Sequence, residues 1–108
     1  MFKRNRTTLT SRAEVATDAP ERYAKQLVSH LGHRVSVTET PEGSVLAFDG
    51  GRGTVRVAEG AVILEAVAGS PAALATVQDV LGRHLERFGA KAQLVVTWSP
   101  AVEGPPPA

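Results

Sequence analysis

The chain has 108 residues, 43% of them hydrophobic, no cysteine and a formal net charge of +1. That length suits one domain with a modest core, and the missing cysteine excludes disulfides, thiolate metal sites and cysteine nucleophiles. No run approaches the roughly 18 apolar residues of a membrane span, and the basic start, MFKRNRTTLT, has no apolar h-region. A soluble, cytoplasmic protein is expected.

Charge is unevenly spread. Lys3, Arg4, Arg6 and Arg12 place +4 on the first twelve residues, whereas residues 13–99 carry eight basic and ten acidic side chains, a net −2. A mildly acidic domain does not suit specific nucleic-acid recognition, which works through basic surfaces. Residues 1–11 lack apolar periodicity and are expected to form a disordered basic arm. Residues 100–108, ending GPPPA, are expected to form a disordered tail. The folded domain is then 12–99.

In chain order, Arg12 to Thr17 alternates through Ala13 and Val15, the pattern of a half-buried strand. Asp18, with Glu21 three residues on and Pro20 between, predicts a capped helix over Ala19 to Leu31, its core stripe being Tyr23, Leu27 and Leu31. His33 to Thr40, Ser44 to Phe48, Arg52 to Ala58 and Ala61 to Ala68 read as strands separated by glycine-bearing turns, hence an antiparallel meander. Ser70 to Gly89 is the clearest element. Ser70 caps it, Pro71 fits its first turn, and Leu74, Val77, Leu81, Leu85 and Phe88 share one face. Gly82, costly in a helix interior, implies close approach by another backbone, and Gly89 suits a left-handed C-terminal cap. Ala92 to Ser99, with Leu94, Val96 and Trp98 in phase, reads as a last strand.

The order β-α-β-β-β-β-α-β predicts a two-layer α+β fold, a mainly antiparallel sheet with two antiparallel helices on one face. This order is similar to that of a TATA-binding-protein repeat, a likeness of arrangement that implies nothing about DNA binding. The other sheet face would carry an apolar island of Ile63, Val67 and Val95, a candidate homodimer contact.

Two constellations carry chemistry. His30, His33 and His84 are the only histidines, and imidazoles ligate transition metals. Gly32 interrupts the helical spacing of the first two, however, and antiparallel helices would put His30 and His84 at opposite ends, which argues against one shared site. The same packing brings Arg22 and Tyr23 beside His84 and Arg87. Guanidinium forks with free amides at residues 18–21 would form a corner for a small anionic ligand. The competing expectation pairs these arginines with Asp18, Glu21 or Glu86 at the surface. Glu14, Glu39 and Glu65 have no evident partner. No Gly-x-Ser-x-Gly elbow, phosphate loop, dinucleotide fingerprint or HExxH occurs. The chain reads as a non-enzymatic binding or accessory protein without a cofactor.

The segments TDAPERYAKQLVSHLGHRV, from Thr17 to Val35, and HLERFGAKAQLVVTW, from His84 to Trp98, resemble a family of small bacterial proteins known as domain of unknown function 2218. The matching pieces are Arg22-Tyr23, His30, the glycine-rich turns, and His84 to Phe88 ahead of a Trp-ending segment. The family has no assigned activity or catalytic residue to carry over. The resemblance implies an accessory role in iron or siderophore handling.

Overall fold

The computed structural model describes residues 8–104, so the expectations for 1–7 and 105–108 lie outside the described residues. The strands are β1 (Thr8–Ala16), β2 (Val37–Thr40), β3 (Gly43–Phe48), β4 (Gly51–Ala58), β5 (Ala61–Ala68) and β6 (Val102–Gly104). Helix α1 (Pro20–Leu31) follows β1, and α2 (Pro71–Phe88) follows β5. The sheet order is β2-β3-β4-β5-β1-β6, and every pairing is antiparallel. This is the expected α+β architecture. β1 and β5 run in opposite directions side by side, so the helices that follow them set out from opposite ends of the sheet.

Alternation decides which sheet residues meet the helices. Val62, Leu64, Ala66 and Ala68 of β5 pair in register with Val15, Ala13, Ser11 and Leu9 of β1. With Val55 and Leu46 they join Leu27 and Leu31 of α1 and Leu74, Val77, Leu81 and Leu85 of α2 in one core. Ser70 opens α2 as expected, its Oγ accepting the Ala73 amide at 3.1 Å.

Several boundaries differ. β1 begins at Thr8, not Arg12, and β6 occupies part of the expected tail. Polar residues there find partners that apolar periodicity does not reveal. Ser11, buried, donates to the Ser99 carbonyl at 2.6 Å, Thr8 Oγ1 to the Gly104 carbonyl at 3.4 Å, and residues 8–10 pair with 102–104. α1 starts without an Asp18 cap; Thr17 Oγ1 instead accepts the Ala19 amide at 3.1 Å. β2 starts at Val37 because the amides of Arg34 and Val35 still turn back to the Leu31 carbonyl.

The expected strand at Ala92 to Ser99 does not form. The Val96 amide, which a sheet would use, donates to the Glu86 carboxylate at 2.9 Å, and the segment lies along α2. Here Gly82 and Gly89 find their roles. A Cβ on Gly82 would stand 3.2 Å from Trp98 Nε1, so the close approach is by an indole and not by another backbone. Gly89 has φ −98, not a left-handed value, and a Cβ there would collide with the Leu94 side chain.

The open sheet face has no apolar island. Ile63 and Val67 are only 4% and 5% exposed. Register sets Ile63 between Arg56 and Glu14 and Val67 between Arg52 and Thr10. Val95 is outside the strands.

Candidate functional site

The sheet order explains where α1 takes its histidine. β1 and β2 are four strand spacings apart, about 19 Å, and α1 with the five residues after it must carry the chain across that distance. At 12 residues α1 is about 18 Å long. It therefore crosses the sheet obliquely, over β5 and β4, and ends beside the start of β2, where a Cβ on Gly32 would stand 3.5 Å from a Val37 methyl group. Its last turn reaches the last turns of α2. The His30 and His84 rings lie 5.1 Å apart at 39°, and Phe88 stands edge-on to His30 at 5.3 Å. The expectation that these histidines occupy opposite ends is thus overturned. It considered the sense of each helix but not the lateral distance the first one had to cover.

His84 is half-buried and His30 exposed. His84 Nδ1 lies 2.7 Å from the Val80 carbonyl. A carbonyl can only accept, so Nδ1 carries the hydrogen and the Nε2 lone pair of the neutral ring is left for another partner. His33 is exposed beyond the end of α1. Among the described residues no group of three or more histidine and carboxylate side chains gathers in a metal-binding arrangement.

Arg22 and Tyr23 sit at the other end of α1. The Arg22 guanidinium is 5.0 Å from the Tyr23 ring centre, and its Nη2 donates to the Tyr23 hydroxyl at 3.2 Å. Together with Thr17, Asp18, Ala92 and Leu94 they line an open hollow of about 360 Å³. Of the amides expected to be free there, that of Ala19 is taken by Thr17 and Pro20 has none. The surface ion pairs expected for the arginines are not formed. Among the described residues the one ion pair is Arg83 with Asp79 at 2.8 Å; Glu86 holds the Val96 amide instead. Arg87 is exposed in the last turn of α2. Arg22 and Tyr23 line the hollow, His84 lies against His30 and Phe88, and Arg87 stands exposed on the same turn as Phe88.

A larger groove, about 550 Å³, escaped the sequence reading. It lies between α1 and the β2–β3 turn, with Val28, Val55 and Val57 at its base and Lys25, Arg56, Glu21, Glu39 and Glu42 around it. Glu39 is not isolated: the Ser44 hydroxyl lies 2.8 and 2.9 Å from its two oxygens. The two residues face each other across the β2–β3 hairpin, whose turn is one residue shorter than the expected 41–43.

Among the described residues no helix is long and apolar enough to cross a membrane. A search of curated proteins finds no match. Among solved structures, the NMR structure of PA4090 from Pseudomonas aeruginosa is similar, with 27% identity and a TM-score of 0.64 over 86% of this chain and 95% of that one. A family model described as an uncharacterized protein conserved in bacteria matches residues 12–99. The segments around Arg22-Tyr23 and His84 to Phe88 fall within that match, and the chain belongs to this bacterial family, DUF2218.

Proposed function

We propose that the protein is a non-enzymatic accessory domain of the cytoplasm that binds a small anionic ligand at Arg22 and Tyr23. The observation that supports this reading is a guanidinium held against an aromatic ring at the wall of a hollow, with no carboxylate engaging it among the described residues. Such a group offers paired donors to a carboxylate or phosphate. Ligands with both acidic and aromatic parts, as siderophores have, match it. His84 and Arg87 belong to the same ligand only if it extends from the hollow to the end of α2.

The test is a titration with 2,3-dihydroxybenzoate and, separately, inorganic phosphate, followed by amide chemical shifts. Shifts at Thr17, Tyr23 and Leu94, weakened roughly tenfold in Arg22→Gln, are expected. Shifts scattered over the surface, or unchanged affinity in Arg22→Gln, would remove the reading. A second reading, metal binding by histidine, has its own observation in the contact of His30 with His84.

A further inference from the structure

We infer that His30 and His84 form a two-imidazole site for a divalent transition metal at the crossing of the two helices, an inference that rests on the histidine reading and names its atoms. The first ground is distance. With metal–nitrogen bonds of about 2.1 Å and roughly 1.1 Å from ring nitrogen to ring centre, two imidazoles meeting tetrahedrally at one ion have centres about 5.2 Å apart. The observed separation is 5.1 Å.

The second ground is proton placement. The Nδ1–H of His84 is held by the Val80 carbonyl at 2.7 Å, the outer-shell bond that metal-ligating histidines characteristically make. It fixes the ring and leaves Nε2 as the ligating atom. Phe88 stands against both rings, at 5.3 Å from His30 and 6.5 Å from His84, and limits their rotation. The exposure of His30 gives an ion a way in.

The ligand set defines the metal class. Two neutral imidazoles without thiolate suit Zn²⁺, Ni²⁺ and Cu²⁺, with Cu²⁺ tightest by the usual order, and do not suit Ca²⁺ or Mg²⁺. Two protein ligands leave coordination positions for solvent or for a chelating small molecule, so the site is open.

Ordinary ring packing produces similar separations, about 4.5 to 7 Å, so the experiment must read the nitrogens. Untagged full-length protein is titrated with Zn²⁺ alone, by calorimetry and by long-range ¹H–¹⁵N correlation of the imidazoles. One equivalent should bind, both rings should show a ligated nitrogen, and His84 should be ligated through Nε2 with Nδ1–H retained. His30→Gln, at an exposed position, should weaken binding about tenfold or more, and His84→Gln likewise, while His33→Gln leaves it unchanged. Circular dichroism confirms that each variant is folded. If His84→Gln unfolds, the His30→Gln result and the nitrogen assignment decide. Zinc bound with the same affinity in His30→Gln would overturn this site while leaving metal binding elsewhere on the chain. No binding at all would overturn both. Neither outcome touches the anion reading, which Arg22→Gln tests separately.

Discussion

Leu81 of α2 is fully buried, and it packs where β4 has no side chain: a Cβ built on Gly53 would stand 2.7 Å from Leu81 Cδ1. Leu81→Ala removes three carbons, about 2.4 kcal/mol of transfer free energy at roughly 0.8 per methylene. Gly53 has no side chain to move into the gap, so the cavity stays largely open. A residual volume of roughly 60 to 80 Å³ at about 24 cal/mol per Å³ adds about 1.5 to 2 kcal/mol, for a total near 4. Urea unfolding should show this as a lowered midpoint at unchanged slope.

The same geometry predicts a coupling. Gly53→Ala alone pushes a methyl group into Leu81 and should cost about 1 to 3 kcal/mol. In Leu81→Ala/Gly53→Ala that methyl enters the vacated space. The double variant should be more stable than the sum of the singles by at least about 1 kcal/mol. Additive losses would refute the packing of Leu81 on Gly53. A loss below about 1 kcal/mol for Leu81→Ala would refute the burial of this face.

Arg83→Ala should cost under about 0.5 kcal/mol by the same unfolding assay, because its ion pair with Asp79 joins side chains that are 77% and 56% exposed. Gly82→Leu, whose side chain needs the space the Trp98 indole occupies beside Gly82, should displace the ring from α2, which tryptophan fluorescence would report as a red shift; an unchanged spectrum would mean the ring does not rest there. Ser11→Ala deletes a buried donor to Ser99 and should cost about 1 to 2 kcal/mol in thermal unfolding. Glu86→Ala should leave the Val96 amide exchanging at an unprotected rate, and full protection in that variant would place its acceptor elsewhere.

What the sequence revealed follows the range over which each signal acts. Ser70, Pro71 and the Leu74–Leu85 stripe specify α2 through contacts three and four residues apart, and the element runs from Pro71 to Phe88 as those contacts require. The three hairpins from Val37 to Ala68 were legible for the same reason. Ala92 to Ser99 has strand-like alternation, but alternation identifies a buried side and not the neighbour on it. Glu86 claims the Val96 amide, and Trp98 occupies the bare surface of Gly82. The β1 edge is paired further along, by residues 102–104 and Ser99. The contact of His30 with His84 depends on one nonlocal quantity. Nothing in the α1 sequence states that β2 lies at the far edge of the sheet, and that placement is what carries His30 to His84. Arg22 and Tyr23 are neighbours in sequence, so that grouping required only helix geometry.

The course of α1 across the sheet underlies the imidazole pair. It is tested most directly by cross-relaxation between the imidazole carbon protons of His30 and His84 in the metal-free protein. Ring centres 5.1 Å apart predict cross-peaks between the two rings and from both to Phe88. Cross-peaks from His84 to Tyr23, with none to His30, would contradict that course and restore the single corner of Arg22, Tyr23, His84 and Arg87.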